Sequence, residues 1–215
     1  MIKTLIFDFG DVFINLDKEA PYIEMKKLGI HSFSKEMVEI NKLYETGIIS
    51  TSAFLDFYCK ICLNTTKTKL SEAWNSIILD FPEYRLKYIE ALATSKKYQL
   101  ILLSNTNDLH IEKVVKNMTI ERFLRFKNCF DAFYLSQEIH LRKPNSDIYN
   151  FVLDTHQINP KEILFVDDTK ENTESAKKLG IHSWNIIPKK EDIVDLFILK
   201  KDLFKVDQET NSKNT

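Results

Sequence analysis

Apolar positions fall into two regimes along the chain. Short unbroken apolar runs occur at Lys3–Phe7, Leu100–Leu103, Ala132–Leu135, Glu162–Val166 and Ile181–Ile187. Such runs predict strands buried on both faces, as in a parallel sheet. The stretches between them carry apolar residues at helical spacing. Helices are expected over Tyr84–Lys97, Leu109–Asn117, Ser146–Thr155, Asn172–Leu179 and Glu191–Leu199. Strands alternating with helices imply an α/β fold, a Rossmann-like parallel sheet with helices on both faces. Between about 15 and 82 the pattern is helical throughout. Ala20–Leu28, Ser34–Thr46, Ala53–Leu63 and Leu70–Leu79 read as four amphipathic helices, with Ser50, Thr51 or Ser52 able to cap the third. Gly29 and Gly47 stand where left-handed helix stops are expected. The organisation this predicts is a core of residues 1–14 and 83–200, an inserted helical-bundle cap of residues 15–82, and a polar C-terminal tail at 201–215.

Composition narrows the class. The 215 residues are 44% hydrophobic and 28% charged, ordinary for a globular protein, and the net charge of −1 points to no nucleic-acid partner and no anionic membrane surface. No apolar stretch approaches the roughly 20 residues of a membrane helix. Asp8 and Asp11 interrupt the N-terminal apolar run too early for a signal peptide. Three cysteines are too few for a disulfide scaffold, so a reducing, cytoplasmic setting is expected. Cys59 and Cys62 have CxxC spacing but sit inside a helical run without a second pair, which makes them ordinary cysteines. The five histidines lack ligand spacing. The segment Lys26–Ser32 recurs as Lys177–Ser183, and both copies mark the basic, glycine-stopped end of a helix rather than a repeat of domains.

Candidate chemistry lies where apolar runs end. The strand ends of a parallel sheet share one side, and ligands bind there. Asp8, Ser104 with Asn105, and Asp167-Asp168 are therefore expected to converge, with Lys143 brought beside them on a loop. Adjacent carboxylates at a buried strand end repel unless a cation is near. Three carboxylates, a hydroxyl and an amine make a site for Mg²⁺ and a phosphate.

These motifs resemble those of the haloacid-dehalogenase-like hydrolase superfamily. Ile6–Val12, Leu102–Thr106, Arg142–Pro144 and Phe165–Asn172 are similar to its four motifs in order, with the helical insertion in the place of that family's cap. The resemblance implies a Mg²⁺-dependent phosphatase acting on a small phosphorylated metabolite. Asp8 would be the nucleophile and pass through an aspartyl-phosphate. Asp8, the Gly10 carbonyl, Asp168 and, directly or through water, Asp167 would hold the metal. Ser104 and the Asn105 N–H would bind phosphate, Lys143 would neutralise it, and Asn172 would brace Asp168. Most phosphatases of the family carry a general-acid Asp two residues after the nucleophile, where this chain has Gly10. The subgroup with glycine there includes sugar-phosphate phosphatases. A missing acid implies an acidic leaving group, or a proton from Asp11, a cap residue or the substrate. Two alternatives follow from the empty position: a catalytically silent binding protein, and a metal-independent 2-haloacid dehalogenase. A phospho-acceptor receiver domain uses similar residues, but in a different chain order.

Overall fold

A computed structural model describes residues 1–62 and 65–204. Five parallel strands form one sheet: β1 (Thr4–Phe7), β2 (Gln99–Ser104), β3 (Ala132–Leu135), β4 (Ile163–Asp167) and β5 (His182–Asn185), in spatial order β3-β2-β1-β4-β5. The chain leaves β1 toward β2 and β3, then returns to place β4 on the other side of β1. The order therefore reverses at β1, and the carboxyl end of β1 stands at the mouth of the crevice this creates.

The alternation of strand side chains builds two cores. Leu5, Phe7, Leu100, Leu102, Leu164 and Val166 face one way, against the helices α5 (Glu83–Ser95), α6 (Asp108–Met118) and α7 (Ile120–Lys127). Ile6, Ile101, Leu103 and Phe165 face the other way, against Ile148, Tyr149 and Ala176. Those residues lie on α9 (Ser146–His156) and α10 (Lys170–Lys178), after the single turn α8 (Ser136–Ile139). Both faces are buried, which is why the strands read as unbroken apolar runs.

The inserted segment forms α1 (Ala20–Lys27), α2 (Lys35–Glu45), α3 (Thr51–Ile61) and α4 (Lys67–Asn75). Ser34, Ser50 and Thr66 cap α2, α3 and α4 by accepting a hydrogen bond from the backbone three residues on. Met25, Met37, Tyr44, Phe54, Tyr58 and Leu70 form a third core, which Leu109 of α6 joins. The two linkers between this bundle and the sheet pair with each other. Leu16 bridges Ile78, and Asn15 donates to Asp80 twice, from its backbone N–H to the carbonyl and from its Nδ2 to the carboxylate. At the far end of α2, a Cβ on Gly47 would lie 2.1 Å from the Gln137 carbonyl oxygen, so only glycine admits this approach of bundle to sheet.

Several expected boundaries move. The fourth bundle helix stops at Asn75, because Ile77 and Ile78 leave it to pair with the first linker. The helix α7, capped by Thr119, was not expected. Glu191–Leu199 is not one helix. It is a 3-10 turn at Ile193–Asp195 followed by α11 (Leu196–Leu199), with Asp192 capping the turn and held by Arg85. The tail does not begin at 201: Lys201–Phe204 forms a turn, and Phe204 packs on Tyr98 and Phe197. The remainder of that expected tail, and Leu63 of the third expected helix, lie outside the described residues. Cys59, Cys62 and Cys129 are free thiols.

Candidate functional site

The site assembles at the carboxyl ends of β1, β2 and β4. Asp8 follows β1 and keeps its register, its N–H donating to the Val166 carbonyl at 2.9 Å. Asp167 is the last residue of β4, Ser104 the last of β2. One carboxylate oxygen each from Asp8, Asp167 and Asp168 fall within 4.8 Å of one another. Lys143 reaches into this cluster from the loop between α8 and α9. The residue is 1% exposed, and its ammonium donates to Asp8 Oδ1 at 2.8 Å, Asp167 Oδ2 at 2.7 Å and the Leu103 carbonyl at 2.7 Å.

Each charge responds to this company. Burial, with the charges of Asp167 and Asp168, pushes Asp8 up to about 7 against the opposing pull of Lys143. Burial alone would depress Lys143, but the adjacent charges of Asp167 and Asp8 outweigh it and hold the amine above its usual range. Burial also raises Asp168, against the pull of Lys18. Burial and the neighbouring carboxylates thus favour the neutral form of both Asp8 and Asp168, a cost that a nearby cation would offset.

Asp167 and Asp168 divide the work. Asp167 is fully enclosed and both its oxygens are taken: Oδ1 accepts from the Thr169 N–H and Asn172 Nδ2, and Oδ2 accepts from Lys143 and Asn172 Nδ2. Asn172 therefore braces Asp167, not Asp168 as expected. Asp167 ends β4 on the face it shares with Phe165, toward the first turn of α10, where Asn172 sits; Asp168 is the first residue beyond the strand and lines the cleft. Asp168 Oδ2 meets the Lys18 ammonium there, and the Asp168 carbonyl accepts from Asn185. The Asn105 side chain does something the sequence did not suggest. Its Oδ1 accepts from the Lys143 N–H at 2.9 Å and its Nδ2 donates to the Lys143 carbonyl at 2.8 Å, so it pins the lysine loop to the end of β2. Ser104 lines the cleft, and among the described residues its hydroxyl makes no hydrogen bond.

Gly10 lines the same cleft. A Cβ placed on it would come within 2.7 Å of Leu16 Cδ1 and 3.8 Å of Asp8 Oδ2. The space that a residue-10 side chain would need is filled by Leu16. Asp11 does not replace it. One of its oxygens accepts from the Leu16 N–H and the other pairs with Lys18 at 3.2 Å. Lys18 was not singled out by the sequence reading. It sits in an ordinary charged stretch before α1, and no spacing signals its return to the strand ends.

Residues 5–186 match the haloacid dehalogenase-like hydrolase family. The chain is 28% identical over 193 residues to the D-ribitol-5-phosphate phosphatase of Bacteroides thetaiotaomicron, covering 86% of this chain and 91% of that one. A haloacid-dehalogenase-family enzyme from the same organism, solved as a magnesium complex, superposes with a TM-score of 0.80 at 34% identity, covering 91% of this chain and 98% of that one. Its wild-type complex with magnesium and inorganic phosphate gives 0.75 at 33% identity, over 89% and 97%. With a five-stranded parallel sheet and a family match over residues 5–186, this chain belongs to the haloacid dehalogenase-like hydrolases.

Proposed function

We propose that the protein is a phosphoric monoester hydrolase that cleaves a small phosphorylated metabolite by attack of Asp8 on phosphorus. The observation that carries this is the buried Asp8–Lys143–Asp167 contact set at the strand ends, with Asp168 beside it. Similarity to a sugar-alcohol phosphatase and to a magnesium- and phosphate-bound enzyme supports the substrate class and the metal.

The donor set fits Mg²⁺: hard oxygen ligands, an excess of carboxylates, and two carboxyl groups whose surroundings raise them. Asp8, Asp168 and the Gly10 carbonyl would hold it. Asp167, whose oxygens are already engaged, would act through Lys143 or a bridging water. When bound, the ion neutralises charge on the transferring phosphoryl group. The protein's own residues do the rest. Lys143 holds Asp8 Oδ1, and among the described residues Oδ2 makes no hydrogen bond and faces the cleft beside Gly10. Oδ2 attacks phosphorus in line with the ester oxygen, giving an aspartyl-phosphate; the P–O bond breaks and the leaving oxygen takes its proton from water in the cleft, since Gly10 and Asp11 supply none. The Ser104 hydroxyl and the Asn105 N–H donate to phosphoryl oxygens, and Lys143 offsets their charge. Water then hydrolyses the acyl phosphate and restores Asp8.

Three carboxylates at one point favour this reading over the metal-independent dehalogenase, which has no use for the extra negative charge. The test is hydrolysis of p-nitrophenyl phosphate with Mg²⁺, with chelator, and by Asp8→Asn. We expect loss of at least about 10³-fold in the variant, loss on chelation, and a phosphorylated Asp8 peptide in acid-quenched wild type. Equal rates for wild type and variant would overturn the phosphatase and leave the silent binding protein.

A further inference from the structure

Above the phosphate end of the site, two joined cavities run between bundle and sheet. The inner one, about 220 Å³, is floored by Gly10, Ser104 and Asn105. The outer one, about 510 Å³, opens past Lys18 and Arg142. Asn41, Glu45, Trp74, Ile77 and His110 line both. The phosphate end, about 270 Å³ and lined by Asp8, Lys143 and Asp168, shares Gly10 and Asn105 with the inner cavity and Lys18 and Arg142 with the outer one. A leaving group that extends from Asp8 past Gly10 and Asn105 therefore meets these five side chains.

Their chemistry is specific. Asn41 and Glu45 are four apart on α2, so they lie one turn apart on the face turned to the sheet. Each is oriented by a second residue. The buried Tyr58 hydroxyl donates to Asn41 Oδ1 at 2.7 Å, which leaves the amide N–H groups to face the cavity. Arg142 Nε donates to Glu45 Oε1 at 2.7 Å, which leaves Oε2 as an acceptor. The backbone beside Glu45 is anchored too: its carbonyl accepts from Ser136 Oγ at 2.7 Å, and the Thr46 carbonyl accepts from His140 Nδ1 at 2.8 Å. Trp74 and His110 stack at 5.7 Å and 17° into a flat wall. His110 adds no charge there. Its Nε2–H donates to the Trp74 carbonyl, its Nδ1 accepts from Asn107 Nδ2, and burial pushes it down to about 4.

The inner cavity therefore offers an amide donor, a carboxylate acceptor and an apolar wall, with the Arg142 charge already matched by Glu45; Lys18 and Lys42 line only the outer cavity, where Lys18 is paired with Asp11 and Asp168 and Lys42 lies 3.7 Å from Glu39. A hydroxyl satisfies either polar group, since it both donates and accepts. A carboxylate placed beside Glu45 meets a like charge. We propose that Asn41 and Glu45 determine specificity, selecting phosphate esters whose leaving group is an uncharged, hydroxyl-bearing chain and rejecting those whose leaving group carries a carboxylate. This rests on the phosphatase reading above and adds to it the residues that choose the substrate.

The experiment compares kcat/KM for ribitol 5-phosphate, glycerol 3-phosphate, phosphoglycolate and p-nitrophenyl phosphate. Glu45→Gln keeps an oxygen for Arg142 Nε but removes the charge. Asn41→Leu removes the donors. Tyr58→Phe releases Asn41 without touching the cavity. Wild type is expected to prefer the polyol esters over phosphoglycolate by about 10- to 100-fold. Glu45→Gln collapses that ratio by lowering the first and raising the second. Asn41→Leu, and more weakly Tyr58→Phe, raise KM for the polyol esters by a larger factor than for p-nitrophenyl phosphate. A Glu45→Gln ratio equal to that of wild type, in enzyme still active on p-nitrophenyl phosphate, overturns this inference alone. Equal p-nitrophenyl phosphate rates in wild type and Asp8→Asn overturn the reading beneath it.

Discussion

Replacing Lys143 by methionine isolates the electrostatics of the site, because the substitution keeps the length of the buried stem and removes only the ammonium. That group holds Asp8 at 2.8 Å and Asp167 at 2.7 Å. At an effective dielectric near 20, each contact is worth about 6 kcal/mol of gross attraction, partly cancelled by the cost of burying the amine. Breaking a buried pair from one side typically costs about 3–5 kcal/mol, because a charge is left without its partner. Asp167 keeps Asn172 and the Thr169 N–H, so Asp8 carries most of the loss. For a chain of this size, 3–5 kcal/mol corresponds to about 6–20 °C in Tm. The sign of the pH dependence follows from the raised Asp8. In the metal-free wild type its folded value, about 7, lies above the unfolded one, so its contribution is fully present below about pH 4 and lost as pH rises to about 7. Without Lys143 the folded value rises further, so the deficit of the variant is largest above pH 7 and shrinks toward pH 5. Thermal unfolding by circular dichroism at pH 5, 6.5 and 8, with chelator and then with Mg²⁺, measures this. A deficit below about 1 kcal/mol at pH 8 without metal, or one equal at pH 5 and pH 8, would refute the reasoning.

Asn172→Ala removes the side chain that holds both Asp167 oxygens; about 2 kcal/mol of stability and about tenfold in kcat are expected to go, measured by denaturant unfolding and steady-state kinetics. Gly10→Asp with Leu16→Ala restores a carboxyl group at the empty general-acid position and clears the methyl group that blocks it. Turnover of simple alkyl phosphates should rise relative to aryl phosphates, and an unchanged ratio in a folded double variant would count against a missing acid. Arg85→Met removes the bidentate contact to Asp192 and the hydrogen bonds to Phe13 and Asn15 that tie the first linker to the C-terminal turn. Unfolding by urea should show a loss of about 3 kcal/mol, with Asp192→Asn costing less because that carboxylate is more exposed.

Local sequence determined the α/β alternation and the helical insertion, because a strand buried on both faces and a one-sided helix leave different periods in the chain. It also determined which residues stand at strand ends, and hence that Asp8, Ser104 and Asp167-Asp168 would meet, since parallel strands share a direction. Interactions across long separations left no such trace. Asn105 grips Lys143 from 38 residues away, Lys18 reaches Asp168 across 150, and Glu45 meets Arg142 across 97. Each is an ordinary polar residue in its own neighbourhood, and its role exists only once the sheet order sets its partner beside it. The split between Asp167 and Asp168 is of the same kind. Two identical adjacent side chains receive opposite surroundings because Asp167 is the last residue of β4, facing α10, and Asp168 is the first beyond it, facing the cleft. At Gly10 the chain alone showed an absent side chain, but only the packed linker, with Leu16 paired beside Ile78, decided that an apolar methyl group would fill its place.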